Sequence, residues 1–339
     1  MRRLGARALA LAVIAVVVVG GSGAYAFHAY RAHDEAVAAA PTVASTALAG
    51  VTDGPHIVFR STAPGQEYGL VAMVPLDDPD GPRAFTSVAC DRVDAVRGSA
   101  SCLRVVRGVA TRFEGELLDA DWQPQETWPL PGVPSRTRMS ADGTLVATTS
   151  FVTGHSYATT GFSTSTVIHR PGQADIGNLE DFLFLVDGER FDSADRNFWG
   201  VTFVDDDTFY ATAASASAGK TWLVRGSVSA RAMTAIHEAV ECPSLSPDGT
   251  RIAFKKLVPG DGATRWTVAV LDLATMTEIV VDEDRNVDDQ VEWLDDATLL
   301  YGLPREDEAG VTDVWAVDAQ DGAVPRLFIP QAWSPSVVR

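Results

Sequence analysis

Short apolar stretches alternate with polar turns along most of the chain, and one turn pattern recurs four times. It places an aspartate two residues before a threonine, at Asp142, Asp206, Asp248 and Asp296. Asp accepts hydrogen bonds from backbone N–H groups two residues further on, and Gly tolerates positive φ, so each copy predicts a tight hairpin turn. The threonines that follow, at 144, 208, 250 and 298, are separated by 64, 42 and 48 residues. This spacing indicates repeated units of about four strands each.

The apolar positions within the stretches alternate with a period of two, which is typical of β-strands. We predict an all-β fold for residues 55–339, a six-bladed β-propeller with four-stranded antiparallel blades. The expected blade boundaries are 55–88, 89–130, 131–186, 187–239, 240–285 and 286–330. The first blade lacks its innermost strand, and the C-terminal segment near 331–338 is expected to supply it. Such a closure would leave no exposed strand edge in the ring.

The N-terminal segment has the features of a membrane span or of an export signal. Residues 1–7 are a basic tip with three arginines, and 8–27 contain no charged residue. Twenty residues of helix match the thickness of the hydrocarbon layer, and the positive-inside rule keeps the tip in the cytoplasm. The alternative is a signal peptide cleaved near Ala26. Both interpretations place the rest of the chain outside the cytoplasm, either tethered as a single-pass protein of the cell membrane or secreted. Residues 28–54 are predicted to be a flexible linker.

Charge and cysteine content narrow the choice of partners and compartment. The formal net charge is −18, which disfavours nucleic acid as a partner because phosphates would be repelled. Almost all of the positive charge is arginine, a bias typical of bacterial proteins from GC-rich genomes. Cys90 and Cys102 flank a polar turn and are expected to form a disulfide in an oxidising compartment, two independent thiols being the alternative. Cys242 is expected to be a buried thiol.

One repeat carries a family resemblance. The stretch from Cys242 to Phe254, CPSLSPDGTRIAF, resembles the WD40-like repeat (PD40) of TolB-type propellers, and residues 138–147 are a looser copy. The resemblance implies the propeller fold and is weak for function. TolB itself has an additional N-terminal α/β domain, which has no counterpart in this sequence. The partners of TolB are therefore not carried over.

The longest predicted connections emerge on one face of the propeller, where such folds bind ligands. Six residues in or near them are candidate ligand-binding residues: His155, Tyr157, Arg190, Asp195, Arg196 and Trp199. No catalytic constellation and no zinc-binding spacing is present, so we expect no catalytic residues and no metal ligands. We expect no cofactor, although the acidic clusters leave a structural calcium ion open.

These observations favour a membrane-tethered scaffold that binds a protein or cell-envelope component and has no catalysis of its own. The alternative is a propeller enzyme, a hydrolase or lyase acting on a glycan or small molecule through the loop-rich face. An enzyme should gather ionisable groups in one pocket of that face.

Overall fold

The chain is described from a computed structural model, in which residues 2–152, 163–260 and 264–339 are defined. It divides into two units, an N-terminal helical unit and a β-sheet unit. The N-terminal unit is built around helix α1 (Arg2–Ala39). Its stretch Ala8–Ala39 is long and apolar enough to cross a membrane, and an N-terminal signal sequence satisfies the same criteria. The helix continues through the sequence Ala24–Ala26, at which cleavage would occur.

The β-sheet unit begins with two short elements and then forms its first three blades. The short elements are β1 (Ser45–Thr46) and α2 (Ala49–Thr52). Blade 1 contains β2 (His56–Ser61), β3 (Leu70–Pro75) and β4 (Arg83–Ala89). Blade 2 contains β5 (Arg92–Val96), β6 (Ser99–Val106), β7 (Arg112–Asp119) and β8 (Pro124–Pro129). Blade 3 contains β9 (Val133–Met139), β10 (Val146–Val152), β11 (Ser163–His169) and β12 (Gly177–Asn178).

The second half of the ring has the same organisation, with two extra strands before blade 4. After a 3-10 turn at Leu179–Asp181 come β13 (Leu183–Val186) and β14 (Glu189–Arg190). Blade 4 contains β15 (Arg196–Phe203), β16 (Thr208–Ser215), β17 (Lys220–Ser227) and β18 (Ala232–Glu238). Blade 5 contains β19 (Glu241–Leu245), β20 (Arg251–Pro259), β21 (Thr264–Asp272) and β22 (Glu278–Val280). Blade 6 contains β23 (Glu292–Trp293), β24 (Thr298–Pro304), β25 (Thr312–Asp318) and β26 (Arg326–Ile329), and the last strand is β27 (Ala332–Val338).

The sheets form a closed ring, and the six-bladed propeller expected from the sequence is confirmed. Strand β27 pairs antiparallel with β2, so the last strand of the chain is the inner strand of the first sheet. The inner strands contact one another in the order β27, β5, β9, β15, β19, β23 and back to β27. Because each inner strand touches two others, the edges that face the axis are covered by neighbouring blades.

Apolar side chains hold most neighbouring blades together. Buried clusters lie between blades 1 and 2, 3 and 4, 4 and 5, 5 and 6, and 6 and 1. Between blades 2 and 3, the described residues make polar contacts: the hydroxyls of Ser101 and Thr137 are 2.6 Å apart. The rings of Trp128 and His169 stack there, with their centroids separated by 4.7 Å.

Two of the four repeated turns are built as the sequence predicts. Asp142 accepts hydrogen bonds from the backbone N–H of Thr144 and the hydroxyl of Ser140, and Asp248 does the same with Thr250 and Ser246. The following residues, Gly143 and Gly249, have φ of 73° and 72°. The left-handed conformation of the glycine lets the aspartate two residues before the threonine bind the threonine N–H, as the pattern requires.

At the other two turns the prediction of which aspartate accepts the hydrogen bonds is wrong. The acceptor in the second turn is Asp205, whose carboxylate accepts from the N–H groups of Asp207 and Thr208, and Asp206 does not have that role. In the fourth turn the carboxylate of Asp295 accepts from the N–H groups of Ala297 and Thr298, whereas that of Asp296 accepts from the N–H of Asp248 in blade 5. Neither turn has a glycine before its threonine, so the backbone takes another path and the preceding aspartate caps it.

Much of the segment predicted to be a flexible linker is ordered. Helix α1 extends to Ala39, and β1 pairs in parallel with β4 at Ser45↔Arg83. Val51 in α2 is only 3% exposed and packs in the cluster between blades 1 and 2. The alanine-rich composition that suggests a linker also favours a helix, and the apolar side chain of Val51 anchors the end of the segment to the propeller.

Cys90 and Cys102, the two cysteines expected to pair, form a disulfide in the structure, with their Cα atoms 5.5 Å apart. Cys102 lies on β6 opposite Val93, and Cys90 directly follows β4. The bond therefore joins the connection between blades 1 and 2 to the second strand of blade 2, within the cluster that the two blades share. Cys242 is a buried free thiol on β19.

Candidate functional site

A cavity of about 580 Å³ opens between blades 4 and 5, and we call it the blade 4–5 cavity. It lies on the side of the ring where β16 turns into β17 and where β18 leads into β19. Antiparallel connections of this kind emerge on one side of every blade, so residues from separate turns meet there. Its lining includes Asp195, Trp199, Lys220, Glu238, Glu241 and Leu257, together with the small residues Ala214, Ser215 and Gly219.

The shape of the cavity follows from small side chains on one wall and a large ring on another. The end of β16 and the turn to β17 contribute alanine, serine and glycine, which leave space beside β15. Trp199 on β15 is 7% exposed and forms part of the lining. Leu257, at the end of β20, is 49% exposed and provides an apolar surface at the opening. The lining therefore combines apolar contact with charged groups.

Asp195 is held by the loop that it belongs to and by the β16–β17 turn. Its carboxylate accepts hydrogen bonds from the hydroxyls of Ser193 and Ser215, at 2.5 and 2.8 Å, and from the backbone N–H of Ser217 at 2.6 Å. These hydrogen bonds, that from Ser193 above all, hold the pKa of Asp195 below its usual range. The side chain stays ionised at neutral pH and is unsuited to take up a proton as a general base.

The other ionisable groups of the cavity also have partners. The ammonium group of Lys220 forms an ion pair with Glu238. Glu241 accepts a hydrogen bond from the indole N–H of Trp266 at 3.3 Å and lies 3.9 Å from the Nζ of Lys255. Three carboxylates and one ammonium group line the cavity itself, which makes it anionic.

The structure brings together two of the six candidate ligand-binding residues. Asp195 and Trp199 line the blade 4–5 cavity. The guanidinium of Arg196 instead binds Asp192 at 2.8 Å and the carbonyl of Glu180 at 3.1 Å, and the exposed Arg190 lies 3.3 Å from Asp192. These two arginines stabilise the loop before blade 4. His155 and Tyr157 lie outside the described residues.

Among the lining residues that sequence reasoning missed are three charged side chains and one exposed apolar side chain: Lys220, Glu238, Glu241 and Leu257. The three charged residues lie at the start or the end of a strand, Leu257 lies two residues before the end of β20, and none of the four belongs to a motif. Only the strand register shows that these positions share one side of the ring.

The axis of the propeller is occupied by buried charges from several inner strands. Arg138 on β9 forms ion pairs with Asp94 on β5, at 3.3 Å, and with Glu292 on β23. Arg92 pairs with Asp289 at 3.2 Å. The space left beside Arg92 and Arg138 is only about 20 Å³, which is room for about one water molecule. This part of the axis is therefore an ionic junction between blades and has no room for a ligand.

A hydrogen-bond chain from two buried residues of blade 3 to the exposed Asp175 has the order of a catalytic triad. The hydroxyl of Thr148 is 3.1 Å from Nε2 of His169, whose Nδ1 is 2.6 Å from a carboxylate oxygen of Asp175. Thr148 is 3% exposed and the ring of His169 stacks on Trp128, so the hydroxyl is closed to a substrate. These hydrogen bonds are therefore a structural contact within blade 3.

The described residues hold no group of three His, Cys, Asp or Glu side chains placed to bind a metal ion. In the acidic stretch 205–207, Asp205 accepts hydrogen bonds from its own turn, and Asp207 accepts from the N–H of Ser229 in the β17–β18 turn. These carboxylates cap backbone groups.

The fold and this site define a class, the six-bladed propellers with a solvent-open cavity between blades. No family model matches the chain, and no curated protein matches it. Among solved structures, TolB from Acinetobacter baumannii superposes with a TM-score of 0.53 at 14% identity, covering 86% of this chain and 69% of that one. The fold is therefore that of TolB-type propellers.

Two other similar structures have lower TM-scores and lower sequence identities. A putative TolB from Agrobacterium tumefaciens has a TM-score of 0.47 at 11% identity and covers 83% of this chain and 90% of that one. Oligogalacturonate lyase from Vibrio parahaemolyticus has a TM-score of 0.46 at 9% identity, covering 74% and 72%.

Proposed function

We propose that the protein is a membrane-tethered scaffold whose propeller lies outside the cytoplasm and binds a protein or cell-envelope component, without catalysis of its own. The blade 4–5 cavity is the proposed binding site. The observation that carries the proposal is that this cavity offers open volume and an exposed apolar rim while its ionisable groups are already paired.

The pairing argues for binding over chemistry. A general acid or base needs a proton that it can exchange near the working pH. The carboxylate of Asp195 is committed to three serine residues, and the Lys220–Glu238 pair neutralises two more groups. A binding surface uses such groups for orientation, while apolar side chains such as Leu257 supply contact area.

The N-terminal unit and the disulfide support the proposed location. Arginines precede the apolar part of α1, which favours a cytoplasmic N-terminus and export of the chain beyond the helix. The Cys90–Cys102 disulfide fits an oxidising compartment. A single uncleaved α1 would keep the propeller at the membrane surface.

Site-specific photocrosslinking of the full chain in its native membrane tests the binding site. A photoreactive phenylalanine analogue at Leu257 should give a discrete crosslinked species. The matched control is Val324, which is 82% exposed and lies in the β25–β26 turn on the opposite side of the ring. Equal crosslinking at both positions, or none at Leu257, would contradict the proposed site.

Mass spectrometry of the N-terminus tests the tether separately. An intact terminus in the membrane fraction is the expected result. A chain that begins at Phe27 and is recovered in the soluble fraction would show that α1 is removed, and the scaffold would then be secreted.

A further inference from the structure

The chemistry of the blade 4–5 cavity identifies the kind of group that it accepts. The Lys220–Glu238 ion pair balances two of the lining charges, and the carboxylates of Asp195 and Glu241 leave the formal charge of the lining negative. The nearest ammonium to Glu241, that of Lys255, is 3.9 Å away and outside the lining. The low pKa of Asp195 keeps that carboxylate charged across the neutral range. An anionic cavity in a chain of net charge −18 attracts cations and repels anions.

The cavity also has apolar walls, so a fully hydrated small ion would not match it. Trp199 is buried in the lining, and Leu257 is exposed at the opening. A group that suits both features has an apolar stem and a cationic end. Arginine and lysine side chains have this form, because their methylene chains pack on apolar surface while the charged end reaches carboxylates.

The position of Leu257 favours a ligand that is a side chain of a peptide segment over a free small molecule. Leu257 lies at the opening, so its exposed surface would contact any part of a ligand that extends outside the cavity. The volume of about 580 Å³ exceeds one side chain and leaves room for the adjoining backbone. We propose that the blade 4–5 cavity binds an arginine or lysine side chain of an extended segment of a partner protein. This proposal rests on the scaffold function above and names the chemistry of its ligand.

Ligand-observed NMR with the full chain in detergent micelles tests the proposal. The probes are the pentapeptide acetyl-Gly-Ala-Arg-Ala-Gly-amide and the same peptide with citrulline in place of arginine. Citrulline keeps the shape of arginine and removes the charge. Saturation transfer should be strongest at the arginine methylenes, and the arginine peptide should bind at least about tenfold more tightly, since its hydrogen bonds are to charged groups.

Three variants locate the binding. Glu241→Gln removes one cavity charge and should weaken the arginine peptide about tenfold. Ala214→Leu fills the cavity without changing charge and should abolish transfer from both peptides. Glu306→Gln makes the same charge change at an exposed position outside the cavity and should leave binding unchanged. Thermal unfolding of each variant checks that it is folded.

Several results would overturn the proposal. These are equal affinity for the two peptides, unchanged binding in Ala214→Leu, or an equal loss in Glu241→Gln and Glu306→Gln. Spermidine that binds as tightly as the peptide would assign the cavity to a free polyamine. If crosslinking at Leu257 persists while the arginine preference is absent, this proposal fails and the scaffold function stands. If the crosslink is absent as well, both fail.

Discussion

The carboxylate of Asp94 accepts a hydrogen bond from the hydroxyl of Ser336, 3.0 Å away, although 242 residues separate them in the chain. Asp94 lies on the inner strand of blade 2, and Ser336 on the C-terminal strand of blade 1. The same hydroxyl lies 2.9 Å from the backbone nitrogen of Ala95, whose N–H it accepts. Glu292 on blade 6 accepts from the N–H of Val337 at 3.2 Å. The last strand is thus fastened to blades on both sides.

We expect Ser336→Ala to destabilise the propeller by about 1–3 kcal/mol, because the buried N–H of Ala95 and the carboxylate of Asp94 each lose a partner. Urea unfolding monitored by tryptophan fluorescence measures the change. Ser87→Ala on the exposed part of β4 is the matched control and should stay within about 0.5 kcal/mol of the unmodified protein. Equal effects in the two variants would contradict a role of Ser336 in closing the ring.

The ionic junction should make stability depend on pH. Burial raises the pKa of Asp94 from its ordinary 3.8 to about 6; the Arg138 guanidinium opposes the rise, and the nearby Glu292 adds to it. The carboxyl group of Asp94 therefore keeps its proton to a higher pH in the folded protein than in the unfolded chain. The stability that this proton contributes is fully present below about pH 4 and is lost as pH rises through about 6, by on the order of 1–3 kcal/mol.

Unfolding free energies measured between pH 4 and pH 7 test this. Asp94→Asn should remove that part of the pH dependence, whereas the exposed Asp321→Asn should leave it in place. A curve for Asp94→Asn that runs parallel to that of the unmodified protein would show that Asp94 does not titrate in this range.

The disulfide gives a third prediction. A thiol assay on the denatured, unreduced protein should detect one free thiol per chain, that of Cys242, and three after reduction. Replacing Cys90 and Cys102 by alanine should lower the free energy of unfolding by about 2–4 kcal/mol, because the closed loop restricts the unfolded chain. Three thiols before reduction would exclude the bond.

Adjacent aspartates in the second repeated turn provide a matched pair. Asp205→Ala removes the acceptor of two backbone N–H groups and should destabilise the protein by about 1 kcal/mol. Asp206→Ala, one residue later, should change stability by less than about 0.5 kcal/mol. Thermal unfolding of the two variants distinguishes them, and the reverse order would support the alignment of the repeat on Asp206.

The sequence by itself determined the features that depend on local pattern. Period-two alternation predicts the strands, and the Asp-Gly-Thr spacing predicts the turns at Asp142 and Asp248, because hairpin geometry involves only neighbouring residues. The repeat length predicts six blades, and the position of the C-terminal segment in that repeat predicts its pairing with the first blade.

Tertiary structure alone decided the features that join distant residues. The blade 4–5 cavity brings Asp195 and Trp199 next to Lys220, Glu238, Glu241 and Leu257, and no local pattern relates these positions. The junction of Asp94, Arg138 and Glu292 is of the same kind, because it depends on three inner strands meeting at the axis. Local spacing specifies each strand and turn, whereas the ring decides which of their ends meet.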